Sequence, residues 1–345
     1  MGISDRSNLL VLVYVIGYSE RGESILIVFV DKGDDNRVLY SLVIDSFKYK
    51  GIHKTTELMD QYDINEKKLD MLIWSHPDYD HTFGIKEILN GYCDEHTRVV
   101  LPYDLNGEAW NNVKYNREDK EIVNKVLGLT KRKFLSHQTA AVSDNLYQPM
   151  LELELDDGLG TLPVFIHALS PHSSRINYML EAHKTMEKND LSVALLIEIG
   201  HINTNKLLIM ADTENDDIDM LYPQALQQPL FVKIPHHGSS TSDRLPKRLV
   251  RGTEKLPLAC TSIYKSQGLP EQGVLTAYRS IFEQVDRTGR SNSTSKNYGV
   301  VEYVFDLYDR QRVDVRHHGH AHVVDDDYMQ KLDKMIAKKK KNSRP

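Results

Sequence analysis

The chain has 345 residues, 40% hydrophobic and 27% charged, a mixture that suits a globular protein with a sizeable core and excludes a chain that stays disordered. Forty-three basic against forty-nine acidic side chains give a formal charge of −6, which excludes a surface built mainly to coat nucleic acid or an anionic membrane. Any polyanion site must therefore be local.

In chain order, the sequence opens as strand, turn, strand over LLVLVYVIGY, SERGE and SILIVFVD, with β-branched residues in the runs and Gly22 in the connection. The first run is about half of what a membrane span needs and has Asp5 and Arg6 before it, so a buried strand and no membrane association are expected. VLYSLVIDSF follows as a third strand, TTELMDQYDI as a helix, LDMLIWS as a short buried strand, and FGIKEILNGY as a helix that Gly91 ends. Residues 95–150 carry a strand, RVVLPY, and a charged helical stretch, NREDKEIVNKVLGL, and are expected as an insertion that shapes substrate access. From Leu151 strands return as LELEL, LPVFIHALS, SVALLIEIG and KLLIMAD, then a helix over IDMLYPQAL, the strand FVKIP and finally VVEYVFDLY. Two runs of strands with intervening helices make an α/β chain, one domain over residues 1–315. Residues 316–345 hold His317-His318-Gly319-His320-Ala321-His322, an aspartate run that caps a last helix, and the basic end KKKKNSRP; they are expected as a solvated tail beyond the last core strand. Cys93 and Cys260 stand far apart and make neither a disulfide framework nor a zinc knuckle, which points to a reducing, cytoplasmic location.

The chemistry concentrates in Ser75-His76-Pro77-Asp78-Tyr79-Asp80-His81, where the apolar run LDMLIW ends. On an extended backbone His76 and Asp78 point to one side, while Asp80 and His81 reach other positions around one or two cations. Two imidazoles and two carboxylates suit zinc or manganese. A purely structural loop would use Asp80 to cap the following helix; four ligand-type side chains within six residues favour the metal. A second cluster, Pro235-His236-His237-Gly238-Ser239, ends the run FVKIP and suits imidazoles that meet a metal or a phosphoryl oxygen. Asp212 ends the strand LLIMAD and is followed by Glu214, a position that a turn former also takes. His167, inside FIHALS, reads as a buried histidine with hydrogen-bond partners.

Taken in order, these segments resemble the metallo-β-lactamase fold hydrolases, above all the hydrolase domain of the bacterial competence DNA-uptake channel protein, over most of the chain. The family's opening turn is echoed by Val15-Ile16-Gly17 and by Gly22-Glu23-Ser24-Ile25, with an insertion, and its strand ending Ile-Asp by Val43-Ile44-Asp45. The His-x-Asp-x-Asp-His signature falls on His76, Asp78, Asp80 and His81, and Asn189-Asp190-Leu191-Ser192, Ala211-Asp212 and Pro235-His236-His237-Gly238-Ser239 follow in the family's order. The resemblance implies a four-layer αββα sandwich and metal ligands at His76, Asp78, Asp80, His81, Asp212 and His237, with His172 near a further ligand position. Where that branch carries Gly-His-Pro this chain reads Gly268-Leu269-Pro270, so one imidazole is replaced by a side chain that coordinates nothing.

The function this implies is metal-assisted phosphodiester hydrolysis, with one or two divalent ions, Asp80 to orient water, and His236 or His237 to contact substrate or protonate the leaving oxygen. Nucleic acid, single-stranded DNA included, or another phosphodiester is the expected partner, with a protein partner in a multi-component system left open. Arg290, Ser291, Ser293 and Lys296 are candidates to grip phosphate. A small or cyclic-nucleotide phosphodiesterase is the alternative within the fold, and a non-catalytic binding module, motivated by Leu269, the alternative outside enzymes.

Overall fold

An uninterrupted apolar run such as ESILIVFVD cannot lie on a half-exposed sheet, and every residue of it is buried, because the sheet that holds it is covered on both faces. A computed structural model describes residues 8–102, 111–115, 117–133, 137–140, 148–200, 205–289, 297–307, 313–332 and 334. The first sheet takes β1 (Leu9–Tyr18), β2 (Glu23–Asp31), β3 (Arg37–Ile44), β4 (Met71–Ile73), β5 (Arg98–Pro102) and β6 (His137–Ala140). The second takes β7 (Leu151–Asp156), β8 (Thr161–Ala168), β9 (Leu195–Ile199), β10 (Asn205–Ile209), β11 (Phe231–Lys233), β12 (Leu256–Thr261) and β13 (Phe282–Arg287). The chain then returns to the first sheet with β14 (Tyr298–Asp306) and β15 (Val313–Gly319), and to the second with β16 (His322–Val323).

The spatial orders are β15-β14-β1-β2-β3-β4-β5-β6 and β16-β13-β12-β11-β10-β9-β8-β7. Each sheet joins an antiparallel half to a parallel half, β3 to β6 in the first and β10 to β13 in the second. Alternation along the strands sends side chains to two different cores. Val11, Val13 and Val15 of β1 pack between the sheets with Ile27, Leu42, Ile197, Ile209 and Phe231. Leu12, Tyr14 and Ile16 face the other way, into a core shared with Leu58, Met59 and Ile88 of the helices Lys54–Asp60 and Ile85–Gly91. On the far side Leu208 and Val232 meet Leu275 and Tyr278 of the helix Gln272–Ile281. Helix, sheet, sheet, helix is the four-layer αββα sandwich expected.

Three expectations change. The helix expected over IDMLYPQAL does not form: one helical turn, Asn215–Ile218, ends at its first residue, and Pro223 in its middle has no N–H for a helical bond there. Residues 95–150 are not wholly an insertion: β5 and β6 extend the first sheet in parallel, and Val123, Val126 and Leu127 of the helix Arg117–Lys133 enter its outer core. Residues 316–332 are not a tail either. β15 pairs with β14 along its whole length, β16 closes the edge of β13, and Tyr328, Met329 and Leu332 are buried in the helical layer, with Asp325 accepting a capping hydrogen bond from Tyr328 N at 2.8 Å. The strand VDVRHHG carries only two apolar residues, both before Arg316, and is mostly exposed, as an edge strand is, so its histidine-rich end does not read as part of a sheet.

His53 stands at the start of the helix Lys54–Asp60, and its Nε2 shares a 2.8 Å hydrogen bond with Ser46 Oγ. Burial, with help from Lys48, pushes its pKa down from 6.5 to about 4. The fold therefore favours neutral imidazole while the unfolded chain takes up a proton near 6.5. Stability is fully present above that value and is lost as pH falls toward 4, by up to about 3 kcal/mol. Urea unfolding of His53→Gln from pH 7 to pH 4 should show a correspondingly shallower loss than the wild-type chain.

Candidate metal centre

The parallel halves of both sheets end at the same edge of the sandwich, and the site is built from the loops that leave those ends. Asp45 follows β3, Ser75 and His76 follow β4, Asp212 follows β10, His236 and His237 follow β11, and Ser262 follows β12. Carboxyl ends of parallel strands are where side chains from distant parts of an α/β chain converge. A 3.0 Å bond from Val193 N to Ser75 O ties the two sheets together at this seam.

Five buried side chains turn a ligand atom into the seam: His76 Nε2, Asp80 Oδ2, His81 Nε2, Asp212 Oδ1 and His237 Nε2, none with a hydrogen-bond partner. Asp212 is central. Its Oδ1 is 3.4 Å from His81 Nε2, and its Oδ2 is 3.7 Å from His76 Nε2, 3.6 Å from His237 Nε2 and 4.0 Å from His236 Nε2. Asp80 Oδ2 lies 3.3 Å from His237 Nε2. These pairs are close enough for ion pairing but too long or too misaligned for N–H···O bonds, as groups are that aim at a common point rather than at one another.

The outer nitrogens explain this aim. Asp45 accepts from Ser75 N at 2.7 Å, from Ser75 Oγ at 2.5 Å and from His81 Nδ1 at 2.7 Å. Ser75 Oγ, its proton spent on Asp45, accepts from His76 Nδ1 at 2.9 Å. Glu23 accepts from Ser262 Oγ, which in turn accepts from His237 Nδ1 at 2.6 Å, and Lys233 Nζ, fully buried, lies 2.7 Å from the same Glu23 oxygen. Each imidazole thus spends its Nδ1–H outward and presents a bare Nε2 inward, the tautomer a metal ligand needs. Although Asp45, His76 and His81 group within 4.8 Å, as do Asp80, His81 and His237, Asp45 has its oxygens committed and serves as a support.

The backbone is strained in the same place. Asp45 (φ 57°), Ala211 (φ 41°), His236 (φ 46°) and His237 (φ 51°) all occupy the left-handed region, at a cost of about 1–3 kcal/mol each. Gly238 also has positive φ, and a Cβ there would sit 2.7 Å from Pro270 Cβ, so only glycine lets this loop press against the 264–271 segment. Electrostatics follow the geometry. Burial opposes charge on His81, yet Asp212 and Asp45 lift its pKa well above the ordinary value. Burial would raise Asp212, but His237, His81 and His236 hold it well below the carboxylate range. A divalent cation bound here must displace such protons, and the three imidazoles with two carboxylates fit one.

The other expected residues lie around this set. Asp78 accepts from Tyr79 N at 3.0 Å, capping the helix Tyr79–Thr82, and pairs with Lys188. His172 is buried at the start of the helix Ser173–Glu181 with its ring 6.2 Å from Tyr222, outside both donor groups. His236 is held beside the cluster by Glu214 at 3.1 Å and Thr241 Oγ1 at 2.9 Å. Leu269 is buried, its backbone bonded in both directions to Tyr264, whose ring meets His237 edge-on at 5.4 Å. His167 pairs with Glu198 at 3.1 Å, and His317 and His318 pair with Asp286 and Glu302 at 2.8 Å each. Arg290, Ser291, Ser293 and Lys296 lie outside the described residues.

Sequence reasoning missed the support chain of Lys233, Glu23 and Ser262. The signal was present: a lone lysine in the buried run FVKIP needs a partner.

No protein-family model and no curated protein sequence matches the chain. Among solved structures it is similar to the metallo-β-lactamase fold protein YhfI from Bacillus subtilis, at 14% identity over 86% of this chain and 100% of that one, with a TM-score of 0.41. It is also similar to a long form RNase Z from yeast, at 12% identity over 75% of this chain and 37% of that one, with a TM-score of 0.40. A third, the metallo-β-lactamase GOB-18 from Elizabethkingia meningoseptica, has 12% identity over 65% of this chain and 67% of that one, with a TM-score of 0.29. All three are distant. Among the described residues no helix is long and apolar enough to cross a membrane.

Support of this kind typically governs ligand affinity, with losses of about 10–100-fold when it is removed. Ser262→Ala and Glu23→Gln should each weaken zinc binding by that factor in chelator competition, while circular dichroism shows the chain still folded.

Proposed function

We propose that this chain is a metal-dependent hydrolase of phosphodiester bonds, a nuclease or phosphodiesterase. The observation that carries the metal is the convergence of five unpartnered ligand atoms, three of them on imidazoles that are each aimed by a bond at Nδ1. The reading of phosphodiesters as substrates, and of a relationship to the competence DNA-uptake hydrolases, comes from the sequence motifs; Arg21, beside the cluster, suits the former. Replacement of an imidazole by Leu269 leaves three imidazoles and two carboxylates in the seam, enough for one or two ions of zinc or manganese.

His76, Asp80, His81, Asp212 and His237 would hold the ion or ions. Bound there, a divalent cation supplies Lewis-acid stabilisation of phosphoryl charge and lowers the pKa of water. The protein's own groups do the rest. Asp45 and the Glu23–Ser262 pair keep the imidazoles in register, and the five ligand side chains are themselves buried. His236 faces the cluster through Nε2 with its Nδ1 held by Glu214, so it stands where a proton passes to a leaving oxygen.

With manganese or zinc added, the wild-type chain should hydrolyse bis-para-nitrophenyl phosphate, labelled single-stranded DNA, or both. His76→Ala and Asp80→Ala should lower the rate by at least about a hundredfold. His236→Ala should retain its metal and lose about 10²–10⁴ in kcat. A folded, metal-loaded chain that cleaves neither substrate would contradict the hydrolase reading and favour a binding module.

A further inference from the structure

Arg21 sits in the turn between β1 and β2, at the mouth of the seam. Its guanidinium lies over the Tyr79 ring, 4.4 Å from the centroid, and its Nη1 donates to Tyr264 Oη at 3.3 Å. Both tyrosines belong to the walls of the metal cluster. Tyr79 directly precedes Asp80 and is backed by Phe83, stacked at 4.8 Å, while Tyr264 meets His237 edge-on. The arginine is thus fixed on two sides by groups that are themselves fixed, near enough for Asp80 to act on its charge.

Neighbouring cations are neutralised: Lys188 by Asp78, Lys265 by Glu20 at 3.1 Å, and Lys48 by Glu87 at 2.5 Å. Among the described residues no carboxylate lies within ion-pair distance of Arg21. Its side chain is only partly buried, and among the described residues the one hydrogen bond of its guanidinium is that to Tyr264. An arginine rigidly held, unmatched by a carboxylate and beside a metal cluster has the geometry of a receptor for a tetrahedral oxyanion, which a guanidinium grips through two donors at once.

We propose that Arg21, clamped between Tyr79 and Tyr264, is the anion-recognition residue of this site and binds non-bridging phosphoryl oxygens of the substrate. Tyr264 Oη accepts from Arg21 and keeps its own proton to donate to a second oxygen. The proposal rests on the phosphodiesterase reading for its substrate, but its binding test stands apart from turnover.

The experiment compares the metal-loaded full-length wild type with Arg21→Ala, Arg21→Lys and Tyr264→Phe. Inorganic phosphate binding is measured by calorimetry, metal content by plasma mass spectrometry, and hydrolysis of bis-para-nitrophenyl phosphate by steady-state kinetics. Arg21→Ala should keep its metal, weaken phosphate at least about tenfold, and raise KM by a similar factor with a smaller change in kcat. Arg21→Lys should recover part of the loss, because charge returns without the planar fork, and Tyr264→Phe should lose less than Arg21→Ala. Phosphate binding by Arg21→Ala within twofold of wild type overturns the proposal, as does loss of its metal, which would make Arg21 a structural residue. Wild type that does not bind phosphate overturns it too. Phosphate binding that depends on Arg21 in a chain that hydrolyses nothing upholds the subsite and removes the hydrolase reading instead.

Discussion

Asp212 faced by four imidazoles in a buried seam is the constraint on which the rest of the structure depends. Leaving a buried polar atom without a partner costs about 1–3 kcal/mol, and five of them together approach the whole net stability of an ordinary domain, about 5–15 kcal/mol. Evolution does not gather five such atoms by neglect. An ion that all five can share offsets that penalty, and the bonds made by Asp45, Ser75 and Ser262 on the outer nitrogens fix the direction in which it is offered.

The architecture serves that seam. Parallel strands in both halves of the sandwich finish at one edge, so residues as far apart in sequence as Asp45, His76, Asp212 and His237 meet without any long excursion. Left-handed backbone at Asp45, Ala211, His236 and His237 re-aims the chain where the strands end. Such strain persists only when surroundings over-determine it, and here they do: His236 N donates to Ala211 O at 2.8 Å, and Asp212 N to Ser192 Oγ at 3.0 Å. The fully buried pair of Lys233 and Glu23 adds a second constraint, since breaking it would strand one charge in the interior.

Much of this was legible in the sequence, for identifiable reasons. Long β-branched runs such as ESILIVFVD declare strands covered on both faces, and His76, Asp80 and His81 announce themselves by density of donors at a strand end. Asp212 was harder, because a strand-end aspartate is so often a turn former. Asp78 shows what spacing arguments leave out: the alternation that brings it to the side of His76 cannot foretell that Lys188 and the amide of Tyr79 both meet its Oδ1. The support chain is only half legible for a related reason: the lone lysine in FVKIP calls for a partner, but Glu23 on β2 and Ser262 just past β12 become its neighbours only through the fold. Residues 316–332 carry no strand signal because an edge strand needs little apolar content, yet His317 and His318 pair with Asp286 and Glu302.

The most direct measurement is the metal stoichiometry of the folded chain at equilibrium, by dialysis against micromolar zinc or manganese, beside Asp212→Asn. One or two ions per wild-type chain are predicted, with a higher Tm than after chelation because the ion binds the folded state alone, and the variant should lose most of both. A folded wild-type chain that takes up no divalent ion, or an Asp212→Asn chain that binds as well as wild type, would contradict the account.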